Sequence, residues 1–488
     1  MATSRRRERR TRRALRRAGA LLAALALVGG YAAADAADAV PGVLTTAPLP
    51  VAPELPEAPG ALADPAPAPA LPVLDPAAPA PDPAVLAATV GPLLDAPALR
   101  GSAGATVLDV ATGQVLLDRA GTEAAVPASV AKVLTAAAVL ARLGPDATLA
   151  TRAVAGPAPG QVVLVGGGDL FLAAGAGDPT ATAGRAGLGD LAEATAASLR
   201  AAGTTTATVL VDDTLTGGAP ATGPRWTPTD LTSGFAAPLT SLAVDGGRLV
   251  PGRYSPRTAD PALAAASAFA DALVARGIAV PVAPVRTGPG SGTPDGAPAG
   301  AAVLGEVRSA PLVEVVEHVL AESDNTGAEG LARLVGADAG RPPGIEASAA
   351  AVLETLAGLG LDVSGATLVD ASGLGQGSQL TPALLAQVLA AAAAGDLPRS
   401  LLAALPVGGL TGTLADRFAV GGATGAGAGL VRAKTGSLNG VTSLAGTVVD
   451  ADGRLLAFAL LADGVGTADP ARAALDAVAV ALAGCGCR

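Results

Sequence analysis

The sequence predicts an α/β fold built from both ends of the chain and interrupted by a large β-rich insertion. Three observations carry this expectation. Strand-like runs at 106–110 and 114–118 flank an Ala-Thr-Gly turn, which is a hairpin pattern. Three more strand candidates, 430–435, 441–450 and 454–462, lie near the other end, the last two joined by Asp450-Ala451-Asp452-Gly453. Between these ends, helical patterns at 311–321, 329–335, 345–358 and 382–394 follow a stretch, 144–300, of short β-rich runs punctuated by Gly and Pro.

The first 17 residues carry nine Arg against one Glu, an uncharged run covers 18–34, and Ala-x-Ala patterns follow at 32–34 and 37–39. Residues 1–39 therefore read as an export signal. The apolar run is near the lower limit for a membrane span, so cleavage is favoured and anchoring through an uncleaved signal is the alternative. Sixteen of the sixty residues from 41 to 100 are proline. Residues 40–100 are accordingly expected to be a Pro/Ala-rich linker without stable helix or sheet. Residues 101–145, with the hairpin and an apolar helix at 130–143, form the first part of the main domain. The inserted module takes 146–300. The second part, 301–488, closes with a helix near 470–483.

Composition excludes several function classes. The chain has 488 residues, half of them apolar, which implies more than one domain. Its net charge is -10, and the residues after the first 17 carry 23 basic against 41 acidic groups, an acidic body unsuited to nucleic acid. The single histidine, His318, excludes a multi-histidine metal site and any Ser-His-Asp triad built without it. No metal or cofactor is expected. Cys485 and Cys487 are too close in sequence for an unstrained ring and lack further zinc ligands, so free thiols are expected.

The rare residues locate the chemistry. Only two lysines, Lys132 and Lys434, stand among 32 basic residues, and only two asparagines, Asn325 and Asn439, occur. Lys132 closes Ser129-Val130-Ala131-Lys132, a spacing that puts hydroxyl and amine on one helix face. A desolvated, neutral lysine can activate a serine nucleophile, and a second ammonium nearby helps to lower its pKa. Lys434 opens Lys434-Thr435-Gly436, and Asn325 ends Ser323-Asp324-Asn325. Taken singly, each motif is an ordinary helix start, strand or cap.

Together and in this order, the three motifs resemble those of the penicillin-recognising serine enzymes. The layout is most similar to the class C low-molecular-mass penicillin-binding proteins, the D-alanyl-D-alanine carboxypeptidase/endopeptidase family, whose members carry a large insertion between the first two motifs. Further matching patches are Leu164-Val165-Gly166-Gly167-Gly168-Asp169, Asp370-Ala371-Ser372-Gly373-Leu374, Leu405-Pro406-Val407-Gly408-Gly409, Gly412-Thr413-Leu414 and Ser443-Leu444-Ala445-Gly446. Ala371 stands where glycine is usual in that family.

The resemblance implies a penicillin-binding protein/β-lactamase-like transpeptidase fold, with antiparallel sheet and helices. It implies an exported serine D-Ala-D-Ala carboxypeptidase, with endopeptidase action left open, working outside the cell, in the wall or at the outer face of the cytoplasmic membrane. Its partners would be peptidoglycan stem peptides ending in D-Ala-D-Ala, with β-lactams as covalent inhibitors. Carried over by residue, Ser129 attacks, Lys132 accepts its proton, and Ser323 with Lys434 protonates the leaving D-alanine. Asn325 holds the substrate amide carbonyl, Thr435 and Lys434 hold the terminal carboxylate, and the N–H groups of Ser129 and Ser437, just past Gly436, form the oxyanion hole.

Two alternatives remain. A class A-like β-lactamase would need a Glu-x-x-x-Asn loop after Ser-Asp-Asn, and both asparagines are already placed. A non-catalytic β-lactam-sensing or wall-binding protein of the same fold would not need an activated nucleophile. Of the remaining residues, His318 is expected to be packed or at the surface rather than catalytic. Trp226 is expected in the core of the insertion, Asn439 at a turn, and residues 166–169 in a structural turn.

Overall fold

The computed structural model describes residues 19, 21–37, 39–40, 44, 77–100, 103–287 and 300–487. The chain divides into two units, Met1–Leu71 and Pro72–Arg488. In the first, residues 21–36 are helical (α1), while the basic block of the expected export signal lies outside the described residues. Among the described residues, no helix is long and apolar enough to cross a membrane.

The second unit starts earlier than composition suggests. The proline-rich stretch, expected to hold no helix, contains α2 (Pro83–Leu94). Asp82 caps it by accepting from Ala84 and Val85, and Pro83 occupies the first turn, where no N–H is needed. Leu86, Val90 and Leu94 repeat every four residues and are fully buried. That stripe, with the favourable first-turn proline, outweighs Pro92 in the last turn. Leu86→Ala should therefore cost about 2–5 kcal/mol in urea unfolding. An unchanged midpoint would show that α2 is no part of the core.

Next come β1 (Ala103–Asp109), β2 (Val115–Arg119) and, after a 3-10 turn at Ala128–Ala131, α3 (Lys132–Leu143). The insertion follows with β3 (Ala150–Ala155), β4 (Gln161–Val165), α4 (Leu188–Ala201), β5 (Thr208–Asp212), α5 (Pro228–Thr232), α6 (Pro261–Val274), β6 (Val285–Arg286) and β7 (Val303–Arg308). Five helices succeed it: α7 (Leu312–Glu322), α8 (Asn325–Asp338), α9 (Ile345–Gly358), α10 (Pro382–Ala394) and α11 (Ser400–Ala403). The chain ends in β8 (Arg432–Leu438), β9 (Val441–Val449), β10 (Leu455–Asp463) and α12 (Ala468–Ala483).

The main sheet is antiparallel in the order β2-β1-β10-β9-β8, so the two ends of the sequence meet, with Ala105 opposite Leu460. α2 and α12 share one hydrophobic cluster with Phe458 and Leu460, and α3, α8 and α10 share another with Ala457 and Ala459. These strand residues alternate between the clusters, as a sheet covered on both faces requires. α3 is buried from Lys132 to Leu140, all of those residues but Lys132 and Thr135 being apolar, and only its last turn, with Arg142, reaches the surface.

The second sheet runs β6-β5-β4-β3-β7. Its β4, β5 and β6 are parallel, and α4 and α6 pack on it, so the insertion is a mixed α/β layer rather than simply β-rich. Both helices lie among short β-rich runs and Gly/Pro turns, which drew the sequence reading of this stretch toward strands. The expected limit at residue 300 also cuts off β7, which pairs with β3. Cys485 and Cys487, expected as free thiols, are joined as a disulfide, buried beside α12 with Cα atoms 5.0 Å apart, within the usual disulfide span.

Candidate active site

The three motifs come from separate parts of the chain and converge on one cleft of about 1270 Å³. Ser129, Ser323, Asn325, Thr435 and Ser437 line it. Lys132 and Lys434 lie beneath that surface, 1% and 0% exposed.

Ser129 sits in the tight turn that leads into α3, where residues three apart eclipse. The residue before it, Ala128, has φ of 49°, and Ser323, which ends α7, has φ of 53°. Left-handed backbone at a residue with a side chain costs roughly 1–3 kcal/mol and persists only where surroundings enforce it. Here β8 presses against the turn. A Cβ on Gly436 would stand 2.7 Å from the Pro127 carbonyl oxygen and 3.1 Å from the Ser129 nitrogen, so glycine alone permits this approach. β8 is the edge strand of the main sheet, which leaves one side of Thr435–Ser437 toward the cleft.

The Lys132 ammonium donates to Ser129 Oγ at 2.9 Å, Asn325 Oδ1 at 2.6 Å and the Ser372 carbonyl at 2.8 Å. Burial brings its pKa down to about 8, against the pull of the Asp370, Glu329 and Asp324 carboxyls and with the push of Arg253. Lys434 donates to Ser323 Oγ and to the Thr435 carbonyl, each at 2.9 Å. Its burial, followed by the charges of Lys132, Arg253 and Arg417, holds it well below the ordinary lysine value. The site thus consists of two serine–lysine pairs, each with a desolvated amine on a hydroxyl. Thr435 Oγ1 donates to Thr413 Oγ1 at 2.8 Å, a hydroxyl pair on the cleft wall.

The insertion forms part of this site. Asn325 Nδ2 donates to the Phe235 carbonyl at 2.9 Å, and the Ala237 N–H donates to Thr326 Oγ1. Arg248 donates to Asp324 Oδ2 at 2.5 Å, while Asp324 Oδ1 caps α8 by accepting from Gly327. Burial works against the Asp324 charge, but Arg248 and Arg257 outweigh it and keep the carboxylate ionised. Trp226 is not in the core of the insertion. It is half-buried, and its indole N–H donates to Asp370 Oδ2 at 2.8 Å, because residues 223–257 fold over the motifs rather than into their own sheet. Arg248→Met leaves Asp324 buried without its closest cation and should destabilise the fold by about 3–5 kcal/mol. Thermal unfolding checks this, and a loss under 1 kcal/mol would contradict it.

His318 stacks edge-on against Phe171, with ring centroids 4.8 Å apart, and takes no part in the cleft. Residues 166–169 form a turn in which Asp169 accepts from the Phe171 N–H. Asn439 lies in the turn after β8, at the rim of the cleft. Sequence reasoning gave no role to Glu329, Phe235, Arg253, Tyr254 or Arg417, which reach the site only through packing. Thr413 lay within a noted patch but carried no assignment. Among the described residues, no group of acidic, histidine and cysteine side chains is arranged to hold a metal ion.

The model of the D-Ala-D-Ala carboxypeptidase 3 (S13) family matches residues 86–257 and 251–483. Carboxypeptidase DacB of Mycolicibacterium smegmatis is 40% identical over 333 residues, 67% of this chain and 68% of that protein. A carboxypeptidase of Mycobacterium tuberculosis is 38% identical over 347 residues, 70% of this chain and 71% of its own length. Among solved structures, penicillin binding protein 4 of Haemophilus influenzae superposes with a TM-score of 0.62 at 21% identity, covering 80% of this chain and 97% of that one. Its fold agrees with the transpeptidase-like α/β architecture described above.

Proposed function

From the premise that this chain belongs to the D-Ala-D-Ala carboxypeptidase 3 (S13) family and is a penicillin-binding serine D-Ala-D-Ala carboxypeptidase, we propose that Ser129 is its nucleophile and Lys132 the base. The single observation that carries this assignment is the fully buried Lys132 amine, 2.9 Å from Ser129 Oγ and brought down to about 8 by burial.

In its neutral form Lys132 takes the Ser129 proton as Oγ attacks the carbonyl of the penultimate D-alanine. The oxyanion is held by the N–H groups of Ser129 and Ser437, which the close approach of β8 brings near each other. Collapse breaks the C–N bond. Ser323 passes its proton to the departing D-alanine amine and takes one from the Lys434 ammonium that donates to it. Asn325 has one N–H on Phe235, and its second serves the substrate carbonyl. Thr435 and Lys434 receive the terminal carboxylate, for which the Thr435 hydroxyl turns its proton from Thr413 Oγ1 to the carboxylate oxygen. Water then cleaves the ester: its proton refills the Ser323–Lys434 pair, and Lys132 returns its own to Ser129 Oγ.

A cross-linked stem, whose leaving amine belongs to a second stem, would be cut by the same steps. Peptidoglycan and β-lactams are thus the partners, and the enzyme acts outside the cytoplasm. Membrane attachment through an uncleaved signal is a separate proposal, which cell fractionation tests. The central experiment incubates the protein with benzylpenicillin and with a peptide ending in D-Ala-D-Ala. A stable adduct on the Ser129 peptide and release of D-alanine are expected. Absence of both would end the enzymatic assignment, and rapid turnover of the antibiotic would favour a β-lactamase.

A further inference from the structure

Glu329 lies one turn beyond Asn325 on α8 and is 1% exposed. Its carboxyl faces the loop that follows α9, where Oε1 accepts the N–H of Ala371 at 3.1 Å and that of Ser372 at 2.8 Å. The Ala371 N–H also lies 3.2 Å from Oε2. On its other side, this dipeptide meets α3: the Ala371 carbonyl accepts from Thr135 Oγ1 at 2.7 Å, and the Ser372 carbonyl accepts from Lys132 Nζ at 2.8 Å. Asn325 Oδ1 completes the circuit by accepting from the same ammonium. One helix therefore holds Lys132 twice, directly through Asn325 and indirectly through Glu329 and Ser372.

The amine needs that second hold. When it gives up a proton it must keep its lone pair on Ser129, and only its other two acceptors fix its direction. We propose that Glu329 is a positioning residue for acylation: it fixes the Ser372 carbonyl that, together with Asn325, aims the Lys132 amine at Ser129. Burial and the neighbouring Asp370 carboxylate push the Glu329 carboxyl up to about 8, while its backbone N–H donors and Lys132 oppose that rise; the geometry asks of it only an oxygen that accepts both N–H groups. Glutamine is then its closest mimic, since a single carbonyl oxygen at the Oε1 position keeps both short bonds. Aspartate is one methylene shorter and loses them.

This inference rests on Lys132 being the base, and the test separates the two. Acylation of the full chain by benzylpenicillin is resolved by stopped flow into non-covalent affinity and the first-order acylation step. Glu329→Asp and Glu329→Ala should slow the acylation step by about 10-fold to 100-fold while affinity stays within about threefold. Glu329→Gln should stay within about threefold of wild type in both. If the alanine variant fails to fold, the aspartate and glutamine pair decides. Wild-type speed in Glu329→Asp, a slow but folded Glu329→Gln, or a loss confined to affinity overturns the proposal. Failure of the wild type to acylate at all would instead strike the assignment of Ser129 and Lys132.

Discussion

Ser129→Ala is expected to leave a folded protein that forms no benzylpenicillin adduct and releases D-alanine at least about 10³-fold more slowly than wild type. The magnitude follows from what remains. The variant keeps the cleft, the N–H groups beside the turn and both lysines, so binding and oxyanion stabilisation survive while the covalent step does not. Because Ser129 is only partly buried and its hydroxyl bonds to Lys132 alone among the described residues, thermal stability should change little. Mass spectrometry of the intact protein reads the adduct, and a D-alanine assay reads turnover. An adduct of undiminished yield in Ser129→Ala would move the nucleophile elsewhere, with Ser323 as the first place to look.

Lys132→Arg should be nearly as damaging, lowering the acylation rate by about 10² to 10⁴-fold in a protein that still binds the antibiotic. Arginine keeps the positive charge but does not give up its proton, and its planar fork cannot reproduce three bonds from one nitrogen. The same argument fixes the pH dependence. The base must be neutral, and with a pKa of about 8 only about one tenth of Lys132 is neutral at pH 7. Acylation should therefore rise from pH 6.5 through about 8 and fall as the medium is acidified. Arginine at this position should abolish that limb rather than shift it. A variant that acylates at the wild-type rate, or a wild-type rate flat between pH 6.5 and 8.5, would rule out Lys132 as the base.

Much of this site was legible because its information is local. Ser129 and Lys132 are three residues apart, Ser323 and Asn325 two, and Lys434 to Ser437 are consecutive, so spacing alone sets their relative placement within each motif. α3, α9, α10 and the β9–β10 hairpin were legible as well, since each helix is an apolar-rich run without interior Gly or Pro and the hairpin has a clear turn. What composition concealed was burial. Pro83 and Pro92 suggested a linker, but Leu86, Val90 and Leu94 find a partner in α12, four hundred residues away. α4 and α6 were missed because they lie among short β-rich runs and Gly/Pro turns, which drew that whole stretch toward a β reading.

By itself, then, the sequence determined the candidate hydroxyls and amines, their order along the chain and the presence of an insertion between the first two motifs. The tertiary structure decided how those groups are held and desolvated. It places Lys132 where burial and Glu329, Asp370 and Asp324 compete over its proton. It brings the insertion's Phe235, Arg248 and Trp226 onto Asn325, Asp324 and Asp370. The physical reason is that a motif specifies hydroxyls and amines, whereas desolvation and the field of distant charges arise only when segments far apart in the chain are packed together.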